Sequence, residues 1–145
     1  MSTRTTRRAL PFLLALLALG TSPVVARAQS VVDRIAAEAT RLMTEAGMKT
    51  RSQHDGSLPQ GRATDITVNI AAGSQILIAG FCDEDCSDLD MRVIQNGTTL
   101  GEDILDDDAP MVALPNWAGG TVTVRVEMPG CSVAPCAFRV LVFGK

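Results

Sequence analysis

The amino-acid sequence predicts an all-β protein, an antiparallel sandwich or barrel, preceded by a signal peptide and one short amphipathic helix. Three observations support this prediction. The first residues have the charge and hydropathy order of an export signal. Apolar residues then recur at helical spacing, and after residue 62 the spacing changes to two, with turn-forming residues between the segments. The length of 145 residues favours a single folded domain.

Residues 1–28 show the three regions of a secretory signal peptide. Three arginines precede an apolar run from Leu10 to Leu19, and Ala26-Arg27-Ala28 forms a small-x-small cleavage site. The run is shorter than the roughly 20 residues that a membrane-spanning helix needs. We therefore expect cleavage before Gln29 and a secreted or periplasmic protein without membrane attachment. An uncleaved N-terminal anchor is the alternative.

The charge balance narrows the classes of partner. The chain has 13 basic and 16 acidic residues, and the signal peptide contains four of the basic ones and no acid, so the mature net charge is −7. An acidic surface repels nucleic acids and anionic lipids and attracts cations. We therefore expect no nucleic-acid partner.

Residues 29–49 predict an amphipathic helix. Ser30 is the expected N-cap and Gly47 the expected C-terminal stop. The apolar stripe consists of Val32, Ile35, Ala36, Ala39, Leu42, Met43 and Ala46. Such a stripe packs on the β-domain or, alternatively, binds a partner or a second copy of the chain.

Residues 50–62 are polar, rich in glycine and proline, and show no period. This composition predicts a linker between the helix and the β-domain.

Residues 63–145 predict the β-domain. Short segments alternate apolar and polar residues, as in an antiparallel sandwich or barrel. Asn96-Gly97 predicts a two-residue hairpin, since both residues tolerate a positive φ. The strand segments are marked by Ile66, Val68 and Ile70; by Gln75–Phe81; by Leu89, Met91 and Val93; by Met111–Leu114; by Val122, Val124, Val126 and Met128; and by Phe138, Val140 and Val142.

The four cysteines lie in two pairs, Cys82 with Cys86 and Cys131 with Cys136. An exported protein meets an oxidising compartment, so we expect disulfide bonds. Three pairings are possible, and we favour the local one, in which each bond closes one loop. Cross-pairing of the two loops and a four-cysteine zinc site are the alternatives.

Carboxylates are concentrated in two segments of the β-domain. Residues 82–90 hold five of them, and a second group extends from Glu102 to Asp108. Closely spaced carboxylates repel one another unless a cation bridges them. Calcium, which accepts six to eight oxygen ligands, is therefore the one cofactor that the sequence suggests. A solvated acidic rim that protects sheet edges is the alternative.

The β-domain resembles a known family. Gly80-Phe81-Cys82-Asp83, followed by Ser87-Asp88-Leu89-Asp90-Met91, is similar to the Asp-Leu-Asp-Leu strand of bacterial pre-peptidase C-terminal (PPC) domains. The similarity continues through Asn96-Gly97, the acidic segment to Asp108, Pro110-Met111-Val112 and Gly119–Val124, and it covers about residues 63–145.

The resemblance implies a jelly-roll-like β-sandwich that is secreted, non-catalytic and in some members calcium-binding. Carried over residue by residue, it assigns calcium to Asp83, Asp85, Asp88 and Asp90. The implied role is binding or stabilisation, with a protein or another extracellular ligand as the partner.

We expect no catalytic residues in this chain. His54 is the only histidine, and it lies in the predicted linker, which does not hold a general base rigidly. Aromatic residues are too few to line a typical pocket. Trp117 is expected in the core or as a loop anchor, with a ligand platform as the alternative. An interaction protein that uses its helix is the second hypothesis, and a small hydrolase is a remote third.

Overall fold

The computed structural model describes residues 23–145, with side chains from Val31 onward. Most of the predicted signal peptide, up to residue 22, lies outside the described residues. The elements are α1 (Pro23–Glu45), β1 (Lys49–Leu58), β2 (Arg62–Ile70), β3 (Ile76–Cys82), β4 (Cys86–Gln95), β5 (Thr98–Asp103), β6 (Met111–Ala113), β7 (Gly120–Cys131) and β8 (Cys136–Gly144).

Two four-stranded sheets face each other. We call the sheet with strand order β1-β8-β3-β6 sheet A, and the sheet with order β2-β7-β4-β5 sheet B. Every strand pair is antiparallel. The predicted all-β, jelly-roll-like antiparallel sandwich is thereby confirmed.

The core lies between the two sheets and consists of apolar side chains from alternate positions of the strands. Along β7, Val122, Val124, Val126 and Met128 are at most 1% exposed, whereas the residues between them are not buried. This alternation is the one the sequence predicts, because successive side chains of a strand point to opposite faces. The predicted hairpin is also confirmed: Asn96 and Gly97 have φ values of 50° and 79° and join β4 to β5.

Helix α1 adds a third layer on the outer face of sheet A. Ala36 is buried there against Phe81 of β3 and against Leu141 and Phe143 of β8. Strand β8 is therefore covered on both faces, which explains why its sequence is almost continuously apolar. The predicted intramolecular packing of the helix is confirmed for Val32 and Ala36, which are 0% and 4% exposed.

The ends of the helix differ from the predicted span of residues 29–49. The helix runs through Ser30, so this residue is not an N-cap in the described chain. It ends at Glu45, where Gly47 adopts a φ of 79°. The N–H of Gly47 donates to the Thr44 carbonyl and that of Met48 to the Met43 carbonyl, both at 2.9 Å. This is a Schellman motif, and it confirms Gly47 as the stop.

The predicted linker at residues 50–62 is wrong for most of its length. Strand β1 pairs along its whole length with the apolar strand β8, at the edge of sheet A. Its inward positions hold Ser52, His54 and Gly56, so no apolar alternation marks it. The backbone hydrogen bonds and the large side chains of β8 supply what the sequence of β1 lacks. Phe138, for example, lies directly over Gly56.

Candidate functional site

Two disulfide bonds shape one end of the sandwich. Cys82 is bonded to Cys86 and Cys131 to Cys136, with Cα–Cα distances of 5.9 Å in both pairs. The predicted local pairing is therefore confirmed, and neither cross-pairing nor a four-cysteine zinc site is present. Each bond closes a single loop, between β3 and β4 and between β7 and β8. We call this the acidic end, because it also carries the dense carboxylates.

Asp83 ties the two disulfide loops together. It is only 2% exposed. Its Oδ1 accepts a hydrogen bond from the Asp85 N–H at 3.2 Å, and its Oδ2 accepts one from the Ala137 N–H at 2.6 Å. The backbone carbonyl of Asp85 accepts from both the N–H and the hydroxyl of Ser132. A carboxylate that satisfies two backbone donors in this way positions the loops.

Asp88 and Asp90 lie on strand β4 rather than in the loop. Burial raises the pKa of Asp88, and the negative charges of Asp106 and Asp107 raise it further. Burial also raises the pKa of Asp90, followed by repulsion from Asp88. The Oδ1 atom of Asp88 is buried and has no hydrogen-bond partner. The folded structure therefore disfavours the charged form of the Asp88 carboxyl group.

The four carboxylates assigned to calcium thus fall in two places. Asp83 uses both oxygens for backbone N–H groups, whereas Asp88 carries the unpartnered oxygen. Within the part of the chain that the structure describes, no group of three or more His, Cys, Asp or Glu side chains is arranged to hold a metal ion. Of the predicted ligands, Asp88 and Asp90 are the two whose pKa is raised, by burial first and then by neighbouring negative charges.

The second acidic segment borders the same end. The loop after β5 is fixed by its own carboxylates. Asp103 Oδ2 accepts from the Met111 N–H at 2.8 Å, and Asp107 Oδ1 accepts from the Ala109 N–H at 3.0 Å. Leu105, at the tip of this loop, is 67% exposed.

A polar cleft of about 510 Å³ opens between the edge strands β1 and β2. His54 lines it and is half-buried, with Nε2 at 3.3 Å from the Ser52 Oγ. The histidine therefore lies on a paired strand and not in a solvated linker, which corrects the sequence interpretation. In residues 31–145, no carboxylate forms a hydrogen bond with this imidazole, so the pair lacks the third group that orients a catalytic base.

Trp117 lies outside the core, contrary to the first of the two roles expected for it. Its side chain is 71% exposed on the loop between β6 and β7. This loop belongs to the end of the sandwich opposite the disulfides, which we call the neutral end. The sequence holds no signal for this exposure, because an apolar aromatic residue between a proline and two glycines fits a buried anchor equally well.

An apolar groove of about 470 Å³ runs beside α1. Ile35 and Leu42 of the predicted stripe line it, together with Phe81 at its floor. Ile35 is 39% and Leu42 46% exposed. Only part of the predicted stripe therefore packs on sheet A, and the remainder faces solvent. No helix in residues 23–145 has the length and hydropathy of a membrane span.

Comparison with known proteins finds only weak similarity to solved structures. No family model matches the chain, and no curated protein matches it. One solved structure that is similar to this chain is PliG of Aeromonas hydrophila, a periplasmic lysozyme inhibitor of g-type lysozyme. It has 17% sequence identity and a TM-score of 0.46, and the match covers 65% of this chain and 85% of that one.

Two further structures are similar. One is a de novo designed double-stranded β-helix, with 14% identity, a TM-score of 0.37, and coverage of 63% of this chain and 97% of that one. The other is the carbohydrate-binding module CBM36 in complex with calcium and xylotriose, with 10% identity, a TM-score of 0.35, and coverage of 68% and 93%. The two facing sheets described above confirm the β-sandwich that the resemblance to PPC domains implies, whereas membership of that family stays a prediction.

Proposed function

We propose that the mature chain is an exported, non-catalytic β-sandwich module of PPC type that binds a ligand or partner outside the cytoplasm. The observation that carries the proposal is the pairing of all four cysteines in loop-closing disulfides. Disulfides persist in oxidising compartments such as the periplasm and the extracellular medium. The N-terminal sequence supports the same location through its signal-peptide pattern.

Fractionation of a bacterial host that expresses the full chain tests export. We expect the N-terminus at Gln29 in the periplasm or the medium, and no thiol that reacts with a maleimide before reduction. The matched control is Ala28→Arg, which places a charge at the cleavage site and should leave the precursor uncut. A full-length cytoplasmic protein with reactive thiols would contradict the proposal.

The non-catalytic part of the proposal rests on the incomplete arrangement around His54. Its only hydrogen-bonding neighbour within the described residues is Ser52, at 3.3 Å, on the same edge strand. A Ser–His device needs an oriented base and donors for the developing oxyanion. Assays with p-nitrophenyl esters test this, with Ser52→Ala and His54→Ala as the variants. Turnover that disappears in both variants would establish the hydrolase alternative instead.

Calcium binding at Asp88 and Asp90 is the finer part of the proposal. The buried, unpartnered Oδ1 of Asp88 and the raised pKa of both carboxyls support it. A bound cation would relieve the repulsion, and water molecules would supply further oxygen ligands. Calorimetric titration of the metal-free protein with calcium chloride tests this. We expect heat and a higher melting temperature in the wild type, and neither in Asp88→Asn. The absence of both in the wild type would remove calcium.

Self-association through the groove beside α1 is the second candidate function. It is favoured by the exposed Ile35 and Leu42, which a second copy could cover. Light scattering of residues 29–145 tests it. A dimer that Leu42→Ser abolishes, and that Leu105→Ser at the acidic end leaves intact, would support it. A monomer at every concentration would exclude it and leave the main proposal standing.

A further inference from the structure

The neutral end of the sandwich differs chemically from the rest of the molecule. Three segments, residues 66–82, 93–101 and 109–124, contain no Asp, Glu, Lys or Arg. Their turns meet at this end, opposite the disulfide loops. The cations at this end, Lys49, Arg51 and Lys145, lie on the β1 and β8 side of sheet A, outside these three segments. The three segments around Trp117 therefore contribute no charged side chain, in a protein whose mature form is strongly acidic.

Trp117 is exposed on a loop that the structure holds rigidly. The N–H of Ala118 donates to the Pro115 carbonyl at 2.9 Å and closes a turn around the tryptophan, while Ala118 itself is 1% exposed. The Gln95 side chain donates to the Gly119 carbonyl at 2.7 Å. Gly119 packs so closely on Ala72 that a Cβ would lie 2.6 Å from the alanine side chain. The backbone that carries the indole is thus held in place before any ligand binds.

Amides and hydroxyls surround this loop on the neighbouring strand ends. The exposed side chains at this end include Asn69, Asn96, Thr98, Asn116 and Thr121. Thr121 donates to the Oδ1 of Asn69 at 2.9 Å, which orients that amide. Asparagine offers both donors and an acceptor, so these groups can pair with ligand hydroxyls without any charge.

We propose that the neutral end binds an uncharged carbohydrate chain, with the indole of Trp117 stacked on the C–H face of a sugar ring. This inference rests on the proposed binding function and names its ligand class. Neither an anionic nor a cationic ligand would find a counter-charge in the three segments that surround the indole. A protein partner would favour a larger apolar patch with arginine in its centre, whereas a single flat ring among amides fits a sugar, which has an apolar face and a hydroxylated edge.

Fluorescence tests the inference directly, because Trp117 is the only tryptophan and the chain has no tyrosine. Residues 29–145 are titrated with the hexasaccharides of cellulose, xylan, chitin and laminarin, and with hexagalacturonate as a charged control. We expect a saturable blue shift of the emission with at least one neutral hexasaccharide and none with hexagalacturonate. Calorimetric titration with the hexasaccharide that gives the shift should show that Trp117→Ala binds it about tenfold or more weakly than the wild type.

Two matched variants test whether binding takes place at the neutral end. Asn116→Ala, beside the indole, should weaken binding with an unchanged melting temperature, whereas Leu105→Ala at the acidic end should leave binding unchanged. An emission spectrum that no neutral hexasaccharide alters would overturn the inference. A blue shift that depends only on protein concentration would also overturn it, since a second copy would then cover the indole. Neither result affects the cleavage and thiol assays that test export.

Discussion

The carboxylate of Asp83 accepts a 2.6 Å hydrogen bond from the backbone N–H of Ala137, and this bond joins the first disulfide loop to the second. The reverse bond, from the Asp83 N–H to the Ala137 carbonyl, is 3.1 Å long. Each disulfide spans only four or five residues. Because stabilisation by a disulfide grows with loop length, each of these bonds contributes modestly and mainly fixes the local loop shape. The Asp83 side chain links the two loops.

We expect Asp83→Ala to lower the free energy of unfolding by about 1–3 kcal/mol, because two backbone N–H groups lose their acceptor. Asp85→Ala is the matched control, since Asp85 contacts Ser132 through its backbone carbonyl, which the substitution keeps. Urea unfolding in the presence of a calcium chelator measures both. Equal effects of the two substitutions would contradict the assigned role of Asp83.

Gly56→Ala should destabilise the domain by about 1–3 kcal/mol, as overpacking does. An added Cβ would lie 2.4 Å from the Cζ atom of Phe138, so the ring would have to move. Ser57→Ala on the other face of β1 should have little effect. Thermal unfolding of the double variant Gly56→Ala/Phe138→Leu completes the cycle. A double variant that loses as much as the two single losses combined would show that the ring does not require this glycine.

Asp88→Asn should raise the melting temperature by a few degrees at neutral pH in calcium-free buffer. Burial and then the charges of Asp106 and Asp107 hold the pKa of Asp88 above its ordinary value, so its ionisation costs stability above the folded-state pKa. The gain should disappear as the pH falls below the unfolded value of about 3.9. Calorimetric scans across this range measure the difference. Asp108→Asn, at an exposed side chain, is the control. A gain that persists in acid would contradict this explanation.

The contacts of Arg139 predict a contribution to stability whose pH dependence is opposite to that of Asp88. Its guanidinium is 2.8 Å from Asp33 of α1 and also pairs with Asp55. Burial alone raises the pKa of Asp55, but hydrogen bonds from Arg139 and Gln53 outweigh it and hold the pKa below its usual range. The pair therefore stabilises the fold above the unfolded pKa of Asp55 and ceases to do so as the pH falls through the folded value.

Substitution of Arg139 should therefore cost far more than substitution of its exposed partner. We expect about 2–4 kcal/mol for Arg139→Ala, which removes a buried side chain, and at most about 1 kcal/mol for Asp33→Asn, whose side chain is 55% exposed. Urea unfolding at neutral and acidic pH measures both. A loss in Arg139→Ala that stays constant into acid would assign the whole effect to packing of the arginine stem.

The sequence predicts those parts of the fold that neighbouring residues specify by themselves, through periodic apolar positions or turn-forming residues. The alternating valines of β7, the Asn96-Gly97 hairpin and the stop of α1 at Gly47 all follow from local chemistry. Strand β1 could not be found in this way, because its inward side is polar and its pairing with β8 specifies it. The candidate sites show the same division. The acidic residues can be identified in the sequence. The hydrogen bond that Asp83 accepts from a distant backbone N–H, and the lack of a partner for Asp88 Oδ1, are seen only in the structure.

By itself, the sequence determined the class of this protein: an export-signal pattern, two local cysteine pairs and a period-two core between turn residues. These properties are set over a few neighbouring residues, so they can be read without coordinates. The tertiary structure decided which surfaces are left for function. It placed Trp117 in solvent, moved His54 from a linker to a cleft and covered only part of the helix stripe. Exposure depends on residues distant in the chain, and the sequence alone does not show which of them meet.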